Sequence, residues 1–249
     1  MSSQNVFITG ASKGIGEGLV LEYAKRGHRL VICARSEDSL KGLSEKINSA
    51  GGECYYIVCD VTSRADVEKA VDFSLEKLGS IDIAILNAGI GEHNRFDNFD
   101  VESMEKTFRV NVFGLVYGLA YLIPLMKKQG SGKIAGISSL AETRGMPGAG
   151  PYCASKAAAS HLLEAARIEN QFENFNIITV KPGFIKTDLV KKNQYKMPFL
   201  MEVDKAVEII IEGIEKNKSI IAFPLPMRIG STLAKIFPDS LMKFMFRKS

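Results

Sequence analysis

Short runs of β-branched and aromatic residues alternate with longer segments of helical period along most of the 249-residue chain. Between the runs, apolar side chains recur every three or four residues, as Val67, Val71 and Leu75 do, which is typical of amphipathic helices. Strands that alternate with helices pair as a parallel sheet covered on both faces. The sequence therefore predicts an α/β fold with a doubly wound, seven-stranded parallel sheet flanked by six helices. The predicted strands are residues 5–9, 29–33, 54–58, 82–86, 133–137, 176–180 and 219–222.

The chain has no Pro- or Ser-rich linker and no abrupt change in composition. Its length suits one α/β domain as well as two small ones, and without a linker we predict a single domain over residues 1–223. Residues 184–203 lack a clear period, and we expect them to form a mobile insertion over a site. Residues 224–249 are predicted to be a basic amphipathic C-terminal extension.

The net charge of +4 comes from that extension, which has five Lys or Arg residues and one Asp. A helix is predicted over residues 228–237 and is ended by Pro238, and its Ile229, Leu233 and Ile236 share one face. Such a segment suits an anionic membrane surface, and docking on its own domain or on a partner subunit is the alternative. Because the basic excess is confined to an apolar tail, we expect no nucleic-acid partner.

The cysteines and histidines form no disulfide or metal pattern. The four cysteines contain no CxxC pair, so we expect reduced thiols in a cytoplasmic compartment, and Cys153 is predicted to have a packing role. Because the N-terminus is polar, we expect no export signal. The sequence has no run of about 18 apolar residues, so we expect no membrane-spanning helix. The three histidines are unclustered, so no metal site is predicted. His93 lies in a loop that can border a substrate, with a solvated loop histidine as the alternative.

A glycine-rich loop, residues 9–16, directly follows the first predicted strand. Gly10 can make the tight turn, Gly14 lets the backbone approach a pyrophosphate, and Gly16 lets the next helix pack closely on the strand. The N-terminus of that helix attracts the anion. The spacing G-x3-G-x-G departs from the usual G-x-G-x-x-G of dinucleotide sites, so a plain structural turn stays open as the alternative.

Two cations are placed to bind the 2′-phosphate of a dinucleotide. Ala34 stands where NAD-preferring proteins often have the acid that binds the ribose 2′-hydroxyl. Arg35 follows it and Lys13 lies in the glycine loop, so both can make charge-assisted hydrogen bonds to a 2′-phosphate. This favours NADPH over NADH, with two solvated surface charges as the alternative.

Tyr152 is the only one of the seven tyrosines with a lysine, Lys156, four residues further on. At helical spacing the two side chains share one face. The pKa of a free phenol is about 10, and a neighbouring ammonium lowers it, so the pair suits proton transfer at neutral pH. Pro151 and the glycine-rich loop before it predict that Tyr152 lies at the start of its helix. An ordinary amphipathic helix is the alternative.

Seven elements, in chain order, resemble the motifs of the short-chain dehydrogenase/reductase family over essentially residues 4 to 223. They are residues 9–16, Asp60-Val61, Asn87-Ala88-Gly89, Asn111, Ser138-Ser139, Tyr152 with Lys156, and residues 181–187. The resemblance implies a single-domain Rossmann fold that binds a nicotinamide dinucleotide, and the two cations above favour NADP(H) over NAD(H). The cofactor-binding residues that follow from it and from the two cations are Gly10, Ser12, Lys13, Gly14, Ile15, Gly16, Arg35, Asp60, Val61, Asn87, Ala88, Gly89, Tyr152, Lys156, Pro182, Gly183, Ile185 and Thr187.

The resemblance also implies a catalytic set of four residues, Asn111, Ser139, Tyr152 and Lys156. Tyr152 would give a proton to the developing alkoxide, and Ser139 would hydrogen-bond the same oxygen. Lys156 would lower the pKa of the tyrosine and bind the nicotinamide ribose. Asn111 would hold a water that links Lys156 to solvent. The family's spacing of thirteen residues between serine and tyrosine selects Ser139, which leaves Ser138 as a structural hydroxyl.

The expected activity is hydride transfer between NADP(H) and a carbonyl or secondary alcohol, with the apolar tail suggesting an acyl or steroid-like ketone. The alternative is a catalytically idle NADP(H)-binding sensor or scaffold, against which the complete catalytic set argues. The predicted helices that carry Phe113 and Leu162 have more apolar side chains than are needed to cover one face of the sheet. Because the corresponding helices commonly pair between subunits in this family, we expect a homodimer or homotetramer.

Overall fold

A computed structural model describes residues 3–188 and 197–245, with Met245 described by its backbone alone. Seven parallel strands form one sheet in the order β3-β2-β1-β4-β5-β6-β7. They are β1 Asn5–Thr9, β2 Arg29–Ala34, β3 Glu53–Val58, β4 Ile83–Leu86, β5 Gly132–Ile137, β6 Phe175–Pro182 and β7 Ile220–Phe223. All seven predicted strands are confirmed, with bounds that differ by up to two residues.

Helices cover both faces of the sheet, as predicted. The helices are α1 Gly14–Lys25, α2 Glu37–Ser49, α3 Arg64–Leu78, α4 Val101–Phe108, α5 Gly114–Gln129, α6 Gly150–Glu169, α7 Val203–Glu215, α8 Leu225–Ala234 and α9 Asp239–Met245. Alternate strand residues point to opposite faces: Ile8 packs with α1, α2 and α7, whereas Phe7 packs with α3, α5 and α6. The core is therefore two apolar layers separated by the sheet.

The helical run from Val101 to Gln129 is interrupted by a π-helical turn, Arg109–Phe113, between α4 and α5. Such turns insert one residue into a helix and frequently occur at functional sites. By length and composition the whole run Val101–Gln129 would also pass as a membrane span. Leu119, Leu122 and Met126 are nevertheless buried against the sheet, so this apolarity belongs to a core helix of the domain.

The sheet order reverses beside β1, which lies between β2 and β4. In open α/β sheets, ligands bind in the crevice outside the carboxyl ends of the strands at such a switch point. The strand ends are nearly level there, with Thr9 paired to Cys33 and Ile8 to Ile85. The fold therefore brings the segments that follow the first six strands to one edge.

The C-terminal helix predicted over residues 228–237 is wrong in its bounds. It begins at Leu225 because Pro224 and Pro226 favour the first turn of a helix, and it ends at Ala234, ahead of Pro238. A second helix, α9, follows that proline. Arg144 ties the extension to the domain by donating to the carbonyl oxygens of Ala234 and Phe237.

Candidate active site

Asn87, the first residue after β4, ties the carboxyl ends of β1 and β4 together. Its Nδ2 donates to the carbonyl oxygens of Thr9 and Gly10 at 3.1 and 3.0 Å. In return, Thr9 Oγ1 accepts from the backbone nitrogens of Asn87 and Ala88 at 3.0 and 3.2 Å. The glycine loop and the N-A-G element therefore form one connected unit at the switch point.

Gly10 and Gly16 occupy positions that a larger residue cannot fill. Gly10 has a φ of +66°, which favours glycine, and a Cβ there would lie 2.7 Å from Ala88 Cα. A Cβ on Gly16 would overlap the carbonyl oxygen of Gly10. These contacts hold the loop close to the sheet and to the first turn of α1, as the sequence predicts.

Gly14 lies at the start of α1, facing the segment after β6. Its φ is +61°, and a Cβ would lie 3.2 Å from Thr187 Cγ2. Lys13 makes no side-chain cap at this terminus, so no capping side chain competes with an anion for the first N–H groups of α1. The predicted residues Ser12 and Ile15 belong to the same turn. This glycine cradle fits the pyrophosphate of a dinucleotide.

A surface cavity of about 320 Å³ opens at the carboxyl ends of β2 and β3. Its lining includes Arg35 and Asp60 together with residues of α4. Asp60 Oδ1 accepts from the backbone and hydroxyl of Thr62, both at 2.9 Å. The predicted Val61 is buried and packs on Gly114 instead of facing the cavity. The structure thus brings the predicted Arg35 and Asp60 to one cavity, at the place where the adenosine end of a dinucleotide is expected.

The structure does not bring both predicted cations into that cavity. Arg35 lines it, whereas Lys13 is exposed at the start of α1 and is not among the lining residues. The loop itself reaches the end of β2, because Ala11 N donates to the carbonyl oxygen of Cys33 at 3.2 Å. Of the two predicted cations, Arg35 is the one that lines the cavity.

Tyr152 and Lys156 lie in the first two turns of α6, which confirms that the tyrosine is close to the start of its helix. The Tyr152 ring packs on Gly91, where a Cβ would lie 3.0 Å from Tyr152 Cδ2. Lys156 Nζ lies 5.8 Å from the centroid of that ring and donates to the Ile137 carbonyl at 2.8 Å. Lys156 is only 4% exposed, and burial lowers its pKa to about 8.

Asn111 lies in the π-helical turn and pins the segment that follows β4. Its Oδ1 accepts from Ile90 N at 2.8 Å, and its Nδ2 donates to Ile90 O at 2.8 Å and to Ser155 Oγ at 3.0 Å. A Cβ on Gly89 would lie 3.2 Å from Lys156 Nζ and 3.3 Å from Asn111 Oδ1. The glycine therefore leaves open the space between the predicted catalytic amide and ammonium groups.

The two candidate serines after β5 have different surroundings. Ser139 Oγ lies 3.4 Å from the Pro182 carbonyl oxygen and accepts from Ala141 N at 3.1 Å. Ser138 Oγ lies 2.9 Å from the carbonyl oxygen of Lys156 and 2.8 Å from Ser160 Oγ. Ser138 is buried among fixed partners, as expected for a structural hydroxyl.

The segment after β6 joins the glycine cradle to the rest of the site. Gly183 N donates to the Phe223 carbonyl at 2.7 Å, and Thr187 N donates to the Ile185 carbonyl at 2.8 Å. Ile185 also pairs with Met201, which closes the base of the predicted insertion at 184–203. Residues 189–196 of that insertion lie outside the described part of the chain.

Two loops beside Tyr152 are joined in a way that the sequence did not indicate. Asn94 N donates to the Gly148 carbonyl at 2.8 Å, and the exposed His93 ring packs against Gly148. His93, in the segment after β4, thus contacts the loop that leads into α6. Cys153 is buried, and burial raises the pKa of its thiol, which agrees with a packing role. Within residues 3–188 and 197–245, no cluster of His, Cys, Asp and Glu could hold a metal ion.

Two further residues of the site, Glu142 and Arg144, were missed by sequence reasoning. Glu142 lies in the short 3₁₀ segment Leu140–Thr143 that follows Ser139, and Arg144 comes directly after that segment. Glu142 pairs with Lys181, with 2.5 Å between Oε1 and Nζ. Apart from Ser138, four residues before Glu142, their partners are distant in sequence, so no local motif signals them.

Solved structures that resemble this chain include two with bound nicotinamide cofactors. An alcohol dehydrogenase from Thermococcus sibiricus, complexed with 5-hydroxy-NADP, has a TM-score of 0.78 and 27% identity, covering 89% of this chain and 94% of that one. A short-chain dehydrogenase/reductase from Burkholderia phymatum, in complex with NAD, has a TM-score of 0.85. At 20% identity, over 99% of this chain and 96% of that one, the second likeness shows the fold.

Sequence comparison places the chain among oxidoreductases. It is 32% identical over 241 residues to an uncharacterized oxidoreductase of Myxococcus xanthus, covering 97% of this chain and 95% of that protein. It is 30% identical over 248 residues to 17-beta-hydroxysteroid dehydrogenase 13 of Rattus norvegicus, covering 98% and 82%. The family model for short chain dehydrogenases matches residues 4–198. The chain therefore belongs to the short-chain dehydrogenase/reductase family of oxidoreductases.

Proposed function

We propose that this oxidoreductase is an NADPH-dependent reductase of lipophilic ketones. The observation that carries the proposal is that α6, which carries Tyr152 and Lys156, lies against the strand end that carries Ser139, beside a glycine cradle that fits a dinucleotide. Lys156 Nζ donates to the Ile137 carbonyl oxygen, two residues before Ser139, and Ser138 Oγ lies 2.9 Å from the Lys156 carbonyl oxygen. A phenol, a hydroxyl and a buried ammonium in this arrangement suit proton transfer to a carbonyl oxygen.

The roles follow from the positions of the groups. The cofactor, held by the loop at residues 9–16 and the cavity beside Arg35, would supply the hydride. Tyr152 donates a proton to the carbonyl oxygen, and Ser139 hydrogen-bonds the same atom. Lys156 places a positive charge near the tyrosine ring and, through the gap at Gly89, faces Asn111. Asn111 holds Ile90 and, with a water, would connect Lys156 to solvent for reprotonation.

Arg35 supports the preference for NADPH. It is exposed at the end of β2 and lines the cavity assigned to adenosine, and Ala34 offers no acid to a ribose 2′-hydroxyl. A guanidinium binds a phosphate through paired charge-assisted hydrogen bonds. The similar alcohol dehydrogenase structure with 5-hydroxy-NADP is consistent with this choice.

A lipophilic substrate is supported by what borders Ser139. Met227 of α8 packs on Gly183, with its Sδ 2.6 Å from the place of a Cβ, and Ser139 Oγ contacts Pro182. The C-terminal extension thus adds an apolar side chain next to the proposed carbonyl site. The resemblance to a 17-beta-hydroxysteroid dehydrogenase points to the same kind of substrate.

Cofactor consumption tests the proposal. The purified protein is assayed with NADPH and with NADH against ketones of increasing chain length, and NADPH oxidation rising with chain length is expected. Tyr152→Phe should lower kcat by about 10²-fold or more while NADPH affinity stays unchanged. Tyr121→Phe, which alters a hydroxyl bound to Glu68 on the surface, is the matched control. NADPH binding without turnover of any ketone would instead support the idle sensor.

We also propose that the protein is a cytoplasmic homo-oligomer. Phe113, Leu162 and Ile168 are exposed on the layer of the fold that contains α5 and α6. Apolar residues exposed on neighbouring helices are suited to a symmetric, self-complementary contact. Size-exclusion chromatography with light scattering should give a dimer or tetramer for the wild type, and Leu162→Glu with Ile168→Glu should give monomers.

Peripheral binding to an anionic membrane is proposed for the extension. Leu225, Ile229, Leu233 and Ile236 are about half or more exposed along one face of α8 and the turn after it. Basic residues flank this face, and the pairing of Asp239 with Arg144 offsets the acidic group in the described part of the extension. A cationic apolar face of this kind lies flat on acidic headgroups.

Vesicle sedimentation tests that binding. We expect the protein to sediment with vesicles that contain phosphatidylserine and not with pure phosphatidylcholine vesicles. Ile229→Ser with Leu233→Ser should abolish sedimentation, whereas Val58→Ser, an equally exposed apolar residue at the end of β3, should not. Equal sedimentation of the double variant and the wild type would contradict the proposal.

A further inference from the structure

We propose that Glu142 is a positioning residue that holds the segments carrying Ser139, Lys156 and Gly183 in register at the nicotinamide end of the cofactor site. The inference rests on the proposed use of a nicotinamide dinucleotide. It does not depend on which substrate is reduced.

Glu142 contacts three separate elements of the fold. Its Oε1 lies 2.5 Å from Lys181 Nζ at the end of β6. Its Oε2 lies 2.9 Å from Ser138 Oγ after β5 and is also hydrogen-bonded by Ser160 of α6. The carboxylate therefore joins β5, α6 and β6 at their common edge.

Two of these partners, Ser138 and Lys181, are adjacent to functional groups. Ser138 precedes Ser139 and lies 2.9 Å from the carbonyl oxygen of Lys156. Lys181 precedes Pro182, whose carbonyl oxygen is 3.4 Å from Ser139 Oγ. A displacement of Glu142 would thus move Ser138 and Lys181, which the carboxylate binds. Through these two residues it would reach Ser139, the Lys156 backbone and the turn at Pro182.

The surroundings make these bonds strong enough for such a role. The side chains of Glu142 and Lys181 are 14% and 20% exposed, which separates this ion pair from the surface pairs of the chain. Charge-assisted hydrogen bonds in a partly desolvated site are stronger than neutral ones. A carboxylate can also accept from an ammonium and two hydroxyls at once, because each of its oxygens has two lone pairs. Since the Ser138 hydroxyl has one proton, it donates at any moment either to Glu142 or to the Lys156 carbonyl oxygen, so the carboxylate competes directly for the hydroxyl that contacts the lysine backbone.

The test compares two ligands that share the adenosine end. NADPH reaches the nicotinamide end, whereas adenosine 2′,5′-bisphosphate stops before it. For Glu142→Ala, calorimetric titration should show NADPH affinity weakened by about tenfold, which is about 1.4 kcal/mol, and affinity for the bisphosphate unchanged. Glu142→Gln, which keeps the size and one acceptor oxygen, should recover part of the loss.

Turnover gives a second readout where a ketone is reduced. Misplacement of reacting groups by a fraction of an ångström to 1 Å can cost up to about 10²-fold in rate, so kcat should fall by about tenfold or more while KM for the ketone changes little. A protein that binds NADPH without reducing any ketone would remove the proposed function and leave the ligand comparison as it stands.

Two variants keep the inference open to contradiction. Glu215→Gln breaks a second partly buried ion pair, the one with Arg26, whose side chains are 25% and 28% exposed, and should change neither ligand's affinity. Lys181→Met removes only the cation and should reproduce part of the Glu142→Ala effect, including where the alanine variant fails to fold. Equal weakening of NADPH and the bisphosphate, or wild-type affinity for both, would overturn the assignment.

Discussion

Arg144 and Asp239 form an ion pair with 2.7 Å between Nη2 and Oδ1, which joins the loop after Ser139 to the start of α9. The same guanidinium donates to the carbonyl oxygens of Ala234 and Phe237 at 2.6 and 2.5 Å. The Arg144 side chain is 19% exposed and that of Asp239 is 87% exposed. Since exposed ion pairs contribute little to stability, the carbonyl contacts are the stronger part of this attachment.

Arg144→Ala should release the C-terminal extension from the domain. Loss of two charge-assisted hydrogen bonds to carbonyls would cost about 1.5–3 kcal/mol each at most, and Met227 would lose its fixed place on Gly183. We expect faster tryptic cleavage after Lys235, with the cleavage monitored by mass spectrometry. We also expect a higher KM for long-chain ketones. Asp239→Asn keeps the carbonyl contacts and should resist trypsin as the wild type does. Equal cleavage rates for Arg144→Ala and the wild type would contradict this attachment.

Gly16→Ala and Gly42→Ala should have opposite effects on stability. Both glycines are helical, but a Cβ on Gly16 overlaps the Gly10 carbonyl, whereas one on Gly42 meets nothing within 4 Å. Overpacking at Gly16 should cost about 1–3 kcal/mol, and alanine at Gly42 should add up to about 1 kcal/mol through helix propensity. Urea unfolding measures both. A Gly16 variant as stable as the wild type would show that the loop can move away from α1.

The sequence predicted what is local in this fold. Strand runs such as the one ending at Thr9 and the motifs after them have fixed spacings, so their common position at the sheet edge followed from a parallel topology. Glu142 and Arg144 could not be found in this way, because the partners of Glu142 reach 39 residues along the chain and those of Arg144 reach 95. The π-helical turn at Asn111 was also missed, since apolar periodicity does not distinguish an inserted residue from a continuous helix.

Arg35→Ser should reduce the preference for NADPH. If the guanidinium binds the 2′-phosphate, its loss should raise the Kd for NADPH by about tenfold, in line with a charge-assisted hydrogen bond, and leave that for NADH unchanged. Arg109→Ser is the control, because Arg109 lines the same cavity from the π-helical turn but pairs with Glu105. Lys13→Ala tests the cation that lies outside the cavity lining. Parallel loss of NADPH and NADH affinity in Arg35→Ser would contradict a contact with the 2′-phosphate.

Lys156 should make the stability of the free protein rise with pH in a defined window. Burial lowers its folded-state pKa to about 8, whereas a lysine in an unfolded chain has a pKa of about 10.4. Between these values the unfolded state binds more protons, so the free energy of unfolding increases as pH rises and levels off above the unfolded pKa.

Comparison with Lys156→Met isolates this contribution from all other groups. Urea unfolding of both proteins without cofactor, from pH 7 to 10.5, should show a difference that is constant below about pH 8 and then grows in favour of the wild type by at most about 1.4 kcal/mol per pH unit. Lys205→Met, at an exposed lysine on α7, should show no such growth. A wild-type minus Lys156→Met difference that is flat across the window would mean that Lys156 keeps its proton in the folded protein, with its bond to the Ile137 carbonyl offsetting the cost of burial.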